Sequence, residues 1–229
     1  MEHLPIYIST VFIITIFITV LLLYKASNNS KPAIIIILLW LALQAVIGLS
    51  GFYTVTNVVP PRFGLLLLPP LIFIAILFLT KKGKTVIDGF DVKLLTLLQV
   101  VRIPVELTLY WLFLYKEVPG IMTFEGRNFD ILCGLTAPLI YYFGYIKNTL
   151  SKSVLIVWNI ACLLLLANVV TTAVLSAPLP FQRFGFDQPN VALLYFPFIW
   201  LPCFIVPAAL FAHLVALKQL IKATNNKID

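Results

Sequence analysis

The sequence predicts an all-α polytopic membrane protein, a seven-helix bundle with its N-terminus outside and its C-terminus cytoplasmic. Three observations predict it. Hydrophobic residues form 61% of the chain and charged residues 11%, with a mean hydropathy of +1.03. That leaves too little polar surface for a soluble domain of 229 residues. The apolar residues gather into seven stretches long enough to cross a bilayer as helices, which takes about 17 to 25 residues each. Eleven of the twelve lysines fall in alternate loops and the tail, on one side, which positive-inside bias assigns to the cytoplasm.

Taken in order, the spans are 4–24, 33–53, 64–80, 92–115, 130–146, 153–176 and 191–217, together one integral membrane domain over 1–229. The first follows Met1-Glu2-His3, with no basic n-region and no small-x-small cleavage site, so it reads as a retained helix. Lys25 and Lys31 separate it from the second. The third is the shortest and is interrupted by Pro69-Pro70. Lys81, Lys82, Lys84 and Lys93 flank the loop before the fourth, and Lys147 and Lys152 the loop between the fifth and sixth. Asn128 is placed to cap the fifth, with Asp130 in its first turn where a carboxylate meets the positive end of the helix dipole. The seventh starts beside Pro189 and carries Pro197, Pro202 and Pro207. Lys218, Lys222 and Lys227 follow it.

The loops of the other side, 54–63, 116–129 and 177–190, are longer and hold aromatic, proline and charged residues, a composition that folds over helix ends. Two of them share a tripeptide: Arg62-Phe63-Gly64 before the third span and Arg183-Phe184-Gly185 before the seventh. Its position suggests two triplets of helices joined by the fourth span, a 3+1+3 arrangement like parallel-repeat transporters. Prolines inside spans three, four, five and seven each free a carbonyl one turn earlier. In lipid that carbonyl needs a partner, so spans three, four and seven are expected to kink around a polar cavity, with simple tolerance of proline for packing as the alternative.

The fourth span carries the polar locus. Thr96, Gln99, Arg102, Glu106 and Tyr110 fall on one helical face, with Leu and Val on the rest. An unpaired charge in the bilayer centre costs on the order of 3 kcal/mol or more, so the stripe must face inward. Arg102 and Glu106, at i,i+4, are placed to pair with each other. The packing alternative is an intrahelical staple that also bonds Gln44 or Asn168. The functional reading makes Arg102 an anchor and Glu106 an acceptor or titrating group.

A second cluster lies at the outer helix ends. Arg62, Arg127 and Arg183, with four outward-pointing helix N-termini, are suited to an anion. The charge count tempers this: Arg62, Lys116, Arg127 and Arg183 are matched by Glu117, Glu125, Asp130 and Asp187. Mutual arginine–carboxylate pairing that pins the loops is therefore expected, with a ligand site sharing those residues as the alternative.

Several classes are excluded. No P-loop, GxGxxG, GxSxG or HExxH pattern occurs. His3 and His213 sit at opposite ends. Cys133, Cys162 and Cys203 lie inside spans without CxxC spacing and read as small apolar packing residues. No metal or cofactor is therefore expected. The net charge of +7 reflects topology and anionic lipid rather than nucleic acid. The partners implied are the bilayer and a small polar, anionic or lipid ligand.

Three functions follow. The first is binding or transport of a small polar or amphiphilic ligand at Gln99, Arg102, Glu106 and Tyr110, reached past Arg62, Glu125, Arg127, Asp130, Arg183 and Asp187. The second is an intramembrane enzyme acting on a lipid or isoprenoid, with Glu106 as acid/base and Glu125 or Asp130 as second carboxylate. The third is an accessory subunit whose charges only fix packing. The lysine-rich short loops suit a bacterial inner membrane.

Overall fold

The computed structural model describes residues 3–225, with side chains through Lys222. Met1, Glu2 and Lys227 of the topology argument lie outside them. Among the described residues the chain is all-α, with eight helices and short 3-10 turns. They are α1 Ile6–Ala26, α2 Lys31–Leu49, α3 Gly64–Leu79, α4 Lys81–Asp88, α5 Val92–Leu114, α6 Ile131–Ile146, α7 Lys152–Ser176, and α8, which opens as a π-helical turn Leu201–Ile205 and continues as Val206–Asn225. Helices α1, α2, α5, α7 and α8 are long and apolar enough to cross a membrane, and α3 with α4 makes a sixth if the bent pair is one span. Their outward faces carry exposed Ile14, Phe17, Leu39, Leu43, Val157 and Leu164. Such surface belongs against lipid tails. The protein is an integral membrane protein.

α8 occupies the centre, packed on α7, α5 and α3, while α1 packs along α5. Proline governs the irregular turns. α5 tightens into a 3-10 turn at Gln99–Val101, just before Pro104. α6 carries Pro138 and loosens into π geometry over Ile140–Ile146. Pro207 cannot donate to the carbonyl of Cys203, and the Trp40 indole Nε1 of α2 donates to that oxygen at 2.9 Å. The freed carbonyl thus becomes a helix–helix contact.

Two boundaries differ from the sequence reading. Residues 81–88, read as a lysine loop, form α4, turned 93° from α3. The Thr80 side chain accepts from the Gly83 amide to start it, and a Cβ on Gly83 would lie 2.3 Å from the Leu77 carbonyl oxygen. Only glycine allows the helix to double back that closely. Residues 191–200 are not a continuous helix either; a 3-10 turn at Ala192–Leu194 precedes Pro197, and helical order begins at Leu201.

At the end of the bundle where α4 lies, Asp88 accepts from Lys218 Nζ at 2.9 Å and Lys222 Nζ at 3.0 Å. Asn28 Nδ2 donates to the Gly89 carbonyl and Gln219 Nε2 to those of Ile87 and Phe90. At the other end the long loops fold over the helices as expected. Val118, Met122, Leu179 and Ala192 are buried there. The Glu117 carbonyl accepts from the amides of Val191 and Ala192, and Gln188 Nε2 donates to the carbonyls of Phe113 and Val118.

Candidate functional site

The polar centre is built from α5 and the entry to α6. Helical spacing brings Thr96, Gln99, Arg102 and Glu106 onto one face of α5, and all four are buried, with Arg102 2% and Glu106 1% exposed. The inward stripe is therefore present, with Tyr110 half-buried at its end, its ring 4.9 Å from that of Phe124. Gly134 sets the approach of the second element. A Cβ there would come 2.8 Å from the Ile103 side chain and 3.1 Å from its backbone nitrogen, so α6 packs directly on the backbone of α5. Asp130 lies one turn before Gly134 and is thereby delivered to Arg102.

The charge pairing differs from the one expected. Arg102 Nη1 donates to Asp130 Oδ1 at 2.6 Å, not to Glu106, and also approaches the Cys162 carbonyl at 3.5 Å. Glu106 is held by Asn128, whose Nδ2 lies 2.7 Å from both carboxylate oxygens and 2.9 Å from the Met122 carbonyl. With two hydrogens on that nitrogen, one is shared by the carboxylate and the other serves Met122. Asn128 Oδ1 accepts from the Asp130 amide at 3.0 Å, a turn just ahead of α6, but the N-cap position is Asp130 rather than the expected Asn128. The reason for the exchange of partners is reach: shared helical face allows an i,i+4 contact, but the loop before α6 supplies better-placed partners to each charge.

Beside this centre lies a cavity of about 50 Å³ lined by Arg102, Glu106 and Asp130 and otherwise by apolar side chains, among them Phe63, Val105, Leu166 and Ile205. Such a volume accommodates a few waters or a small polar group. Arg102 Nε and Nη2 are buried without an acceptor among the described residues. A guanidinium with two unused donors in apolar surroundings is costly unless something accepts from them.

The remaining predicted residues do not join this centre. Gln99 Nε2 reaches the Ala209 carbonyl at 3.4 Å. Gln44 accepts from the Tyr53 hydroxyl at 2.6 Å, and Asn168 donates to the Arg127 carbonyl. Arg62 donates to the Phe52 carbonyl and stacks over its ring, 4.4 Å from the centroid. Arg127 and Glu125 are exposed. Arg183 and Asp187 are exposed and border an open groove of about 460 Å³ with Gly120 and Phe186. The expected ring of outer arginine–carboxylate pairs is not formed: among the described residues only Arg102 of the four arginines makes such a pair. The loops at this end of the bundle are pinned instead by amide side chains and backbone hydrogen bonds. The two Arg-Phe-Gly segments also differ locally, since Gly64 opens α3 while Gly185 sits in a turn at φ +65°.

Sequence reasoning missed two things. One is the clamp that Asn128, read from the sequence only as a helix cap, places on Glu106. The other is the meeting of Cys133, Cys162 and His213, whose side-chain donor atoms all lie within 4.8 Å of one another. A search for CxxC spacing or three histidines does not find three single residues on three helices.

No curated protein and no solved structure matches the chain. A family model does match, across residues 59–221, which include α3 to α7, most of α8 and every residue of the polar centre. The chain belongs to the family described as a domain of unknown function, DUF8737.

Proposed function

We propose that the protein binds or transports a small amphiphilic molecule whose anionic end is received by Arg102. The observation that carries this is the pairing of a buried guanidinium that has two donors without acceptors with a cavity whose walls, apart from the Glu106 and Asp130 carboxyls, are apolar. A carboxylate or phosphate matches the planar donor fork, and an alkyl or isoprenoid portion matches the apolar walls. The cavity holds the polar end only; the remainder runs between helices. The test is native mass spectrometry of gently extracted wild type beside an Arg102→Met/Asp130→Leu variant, which removes both charges of the pair together. Retention of a specific small molecule or lipid by wild type and its loss from a folded variant supports the reading. Equal retention by both, or none by either, refutes it.

A second reading, an enzyme acting on a lipid or isoprenoid, draws on Glu106 and Asp130 lining one cavity. Under it, Glu106→Gln keeps ligand and loses turnover.

The finer topology belongs to the same proposal. α6 serves as the seventh span, although its 16 residues rise only about 24 Å against a core of about 30 Å. Its π-helical half shortens it further, so the bilayer must thin or α6 must be sheltered by α5 and α7. The lysine-rich end with α4 faces the cytoplasm of a bacterial inner membrane. Ligand enters from the opposite end.

A further inference from the structure

The cysteines and the histidine left out of the polar centre are arranged as a metal-binding set. Cys133 of α6, Cys162 of α7 and His213 of α8 are each at most 2% exposed. Cys133 Sγ lies 3.8 Å from His213 Nε2, and all three donor atoms fall within 4.8 Å of one another. An ion with bonds of about 2.3 Å to sulfur and 2.0 Å to nitrogen holds its donors roughly 3.5 to 4 Å apart, so small side-chain adjustments close the set.

The histidine is oriented as a ligand. His213 Nδ1 lies 2.8 Å from Asn159 Oδ1, and Asn159 Nδ2 is committed to the Leu155 carbonyl at 2.8 Å. The amide therefore presents its oxygen to the ring, Nδ1 carries the proton, and Nε2 presents a lone pair toward Cys133. This is the outer contact that fixes tautomer and ring angle in metal-bound histidines. The Trp158 ring stands edge-on against His213, 5.5 Å between centroids, and its indole is tied to Thr136. The trio is thus shielded and its ring braced.

The trio also neighbours the polar centre, since Arg102 Nη1 approaches the Cys162 carbonyl at 3.5 Å. Leu166 and Ala209, both on the cavity wall, lie one turn from Cys162 and His213 on the same helical faces. Asp130, also on that wall, is three residues from Cys133. The trio therefore lies about one helical turn from the wall of that cavity.

We propose that Cys133, Cys162 and His213 bind one thiophilic d10 metal ion, Cu(I) or Zn(II). Two sulfurs and one imidazole complete a trigonal shell for Cu(I), which soft donors select. Zn(II) requires a fourth ligand, and the trio contains none, so a zinc-loaded site carries water or another exogenous donor. The inference stands apart from the amphiphile reading, because it uses different side chains and survives if no organic ligand is found.

The test loads the purified full chain in detergent anaerobically with Cu(I) or with Zn(II), exchanges it against a competing chelator, and measures metal per chain. Wild type is expected to retain one equivalent of at least one of the two ions, and Cys133→Ser/Cys162→Ser to retain at least tenfold less. Asn159→Ala, which leaves all three ligands in place, is expected to weaken affinity about 10–100-fold. X-ray absorption on loaded wild type checks the shell without any variant: two sulfur neighbours are expected, with three-coordinate copper or four-coordinate zinc distinguishing the ions. No retained metal in wild type, retention unchanged in the double variant, or a shell without sulfur overturns the proposal.

Discussion

Among the described residues, two ionic clusters built on arginine or lysine tie distant parts of this chain together, one inside the bundle and one at its end. Arg102 meets Asp130 with both side chains almost wholly buried, whereas Asp88 meets Lys218 and Lys222 where Asp88 is 36% and Lys222 62% exposed. Distances are similar, 2.6 Å against 2.9 and 3.0 Å, yet the energetics are not. At the exposed cluster water and salt replace any lost partner, so the pair contributes about 0 to 1 kcal/mol. At the buried one the pair gains little over apolar packing, but breaking it strands a charge and costs about 3–5 kcal/mol. Geometry alone does not rank ion pairs; the solvent available to each partner does.

The sharpest way to break the comparison is Arg102→Ala. It is expected to destabilise by about 3–5 kcal/mol, and Arg102→Met/Asp130→Leu by much less, measured as thermal unfolding in one detergent. Equal losses in the two variants would mean that packing volume rather than stranded charge sets the cost. Next is Gly134→Ala, whose Cβ meets Ile103 and Arg102. A loss of about 1–3 kcal/mol is expected from forcing α6 off α5, with the Arg102–Asp130 contact lengthened. A neutral result would show that α6 can shift freely. The smallest effect belongs to Asp88→Asn, within about 1 kcal/mol and vanishing at high salt.

The pH dependence sharpens the same contrast. Hydrogen bonds from Lys218 and then Lys222 hold the Asp88 carboxyl below the usual carboxylate range. Its contribution is therefore fully present above the unfolded value near 3.9 and is lost as pH falls through the lower folded value. Wild type minus Asp88→Asn stability against pH should be flat at neutrality and decline only in that acid window. A difference that persists unchanged to pH 2 would show the lysines do not stabilise the ionised form.

Much of the fold was legible because a bilayer imposes a single criterion, a long apolar run, and lysines mark alternate loops. What the sequence could not supply was direction away from that rule. Nothing in Lys81–Asp88 alone distinguishes a loop from a short helix folded back at Gly83; the Leu77 contact decides it. The inward stripe on α5 was readable because Thr96, Gln99, Arg102 and Glu106 share a face. Partner choice was not, because Asp130 and Asn128 arrive from another segment, and a local rule at i,i+4 favours Glu106 by default. The same limit hid the cysteines. Cys133, Cys162 and His213 are apolar-looking singles in separate helices until α6, α7 and α8 are packed together.

Asn128 ties the loop before α6 to the middle of the bundle with one side chain. Its amide serves Glu106, the Met122 carbonyl and the Asp130 amide simultaneously. A single rotation of that side chain leaves a carboxylate, a carbonyl and an N–H without partners together, in a place water reaches poorly. Partial opening is therefore the least favourable course. The loop from Gly120 to Asp130 and the first turn of α6 form one cooperative unit with the intramembrane charges, so their amides should exchange hydrogen in a single collective event rather than fraying from the tip inward.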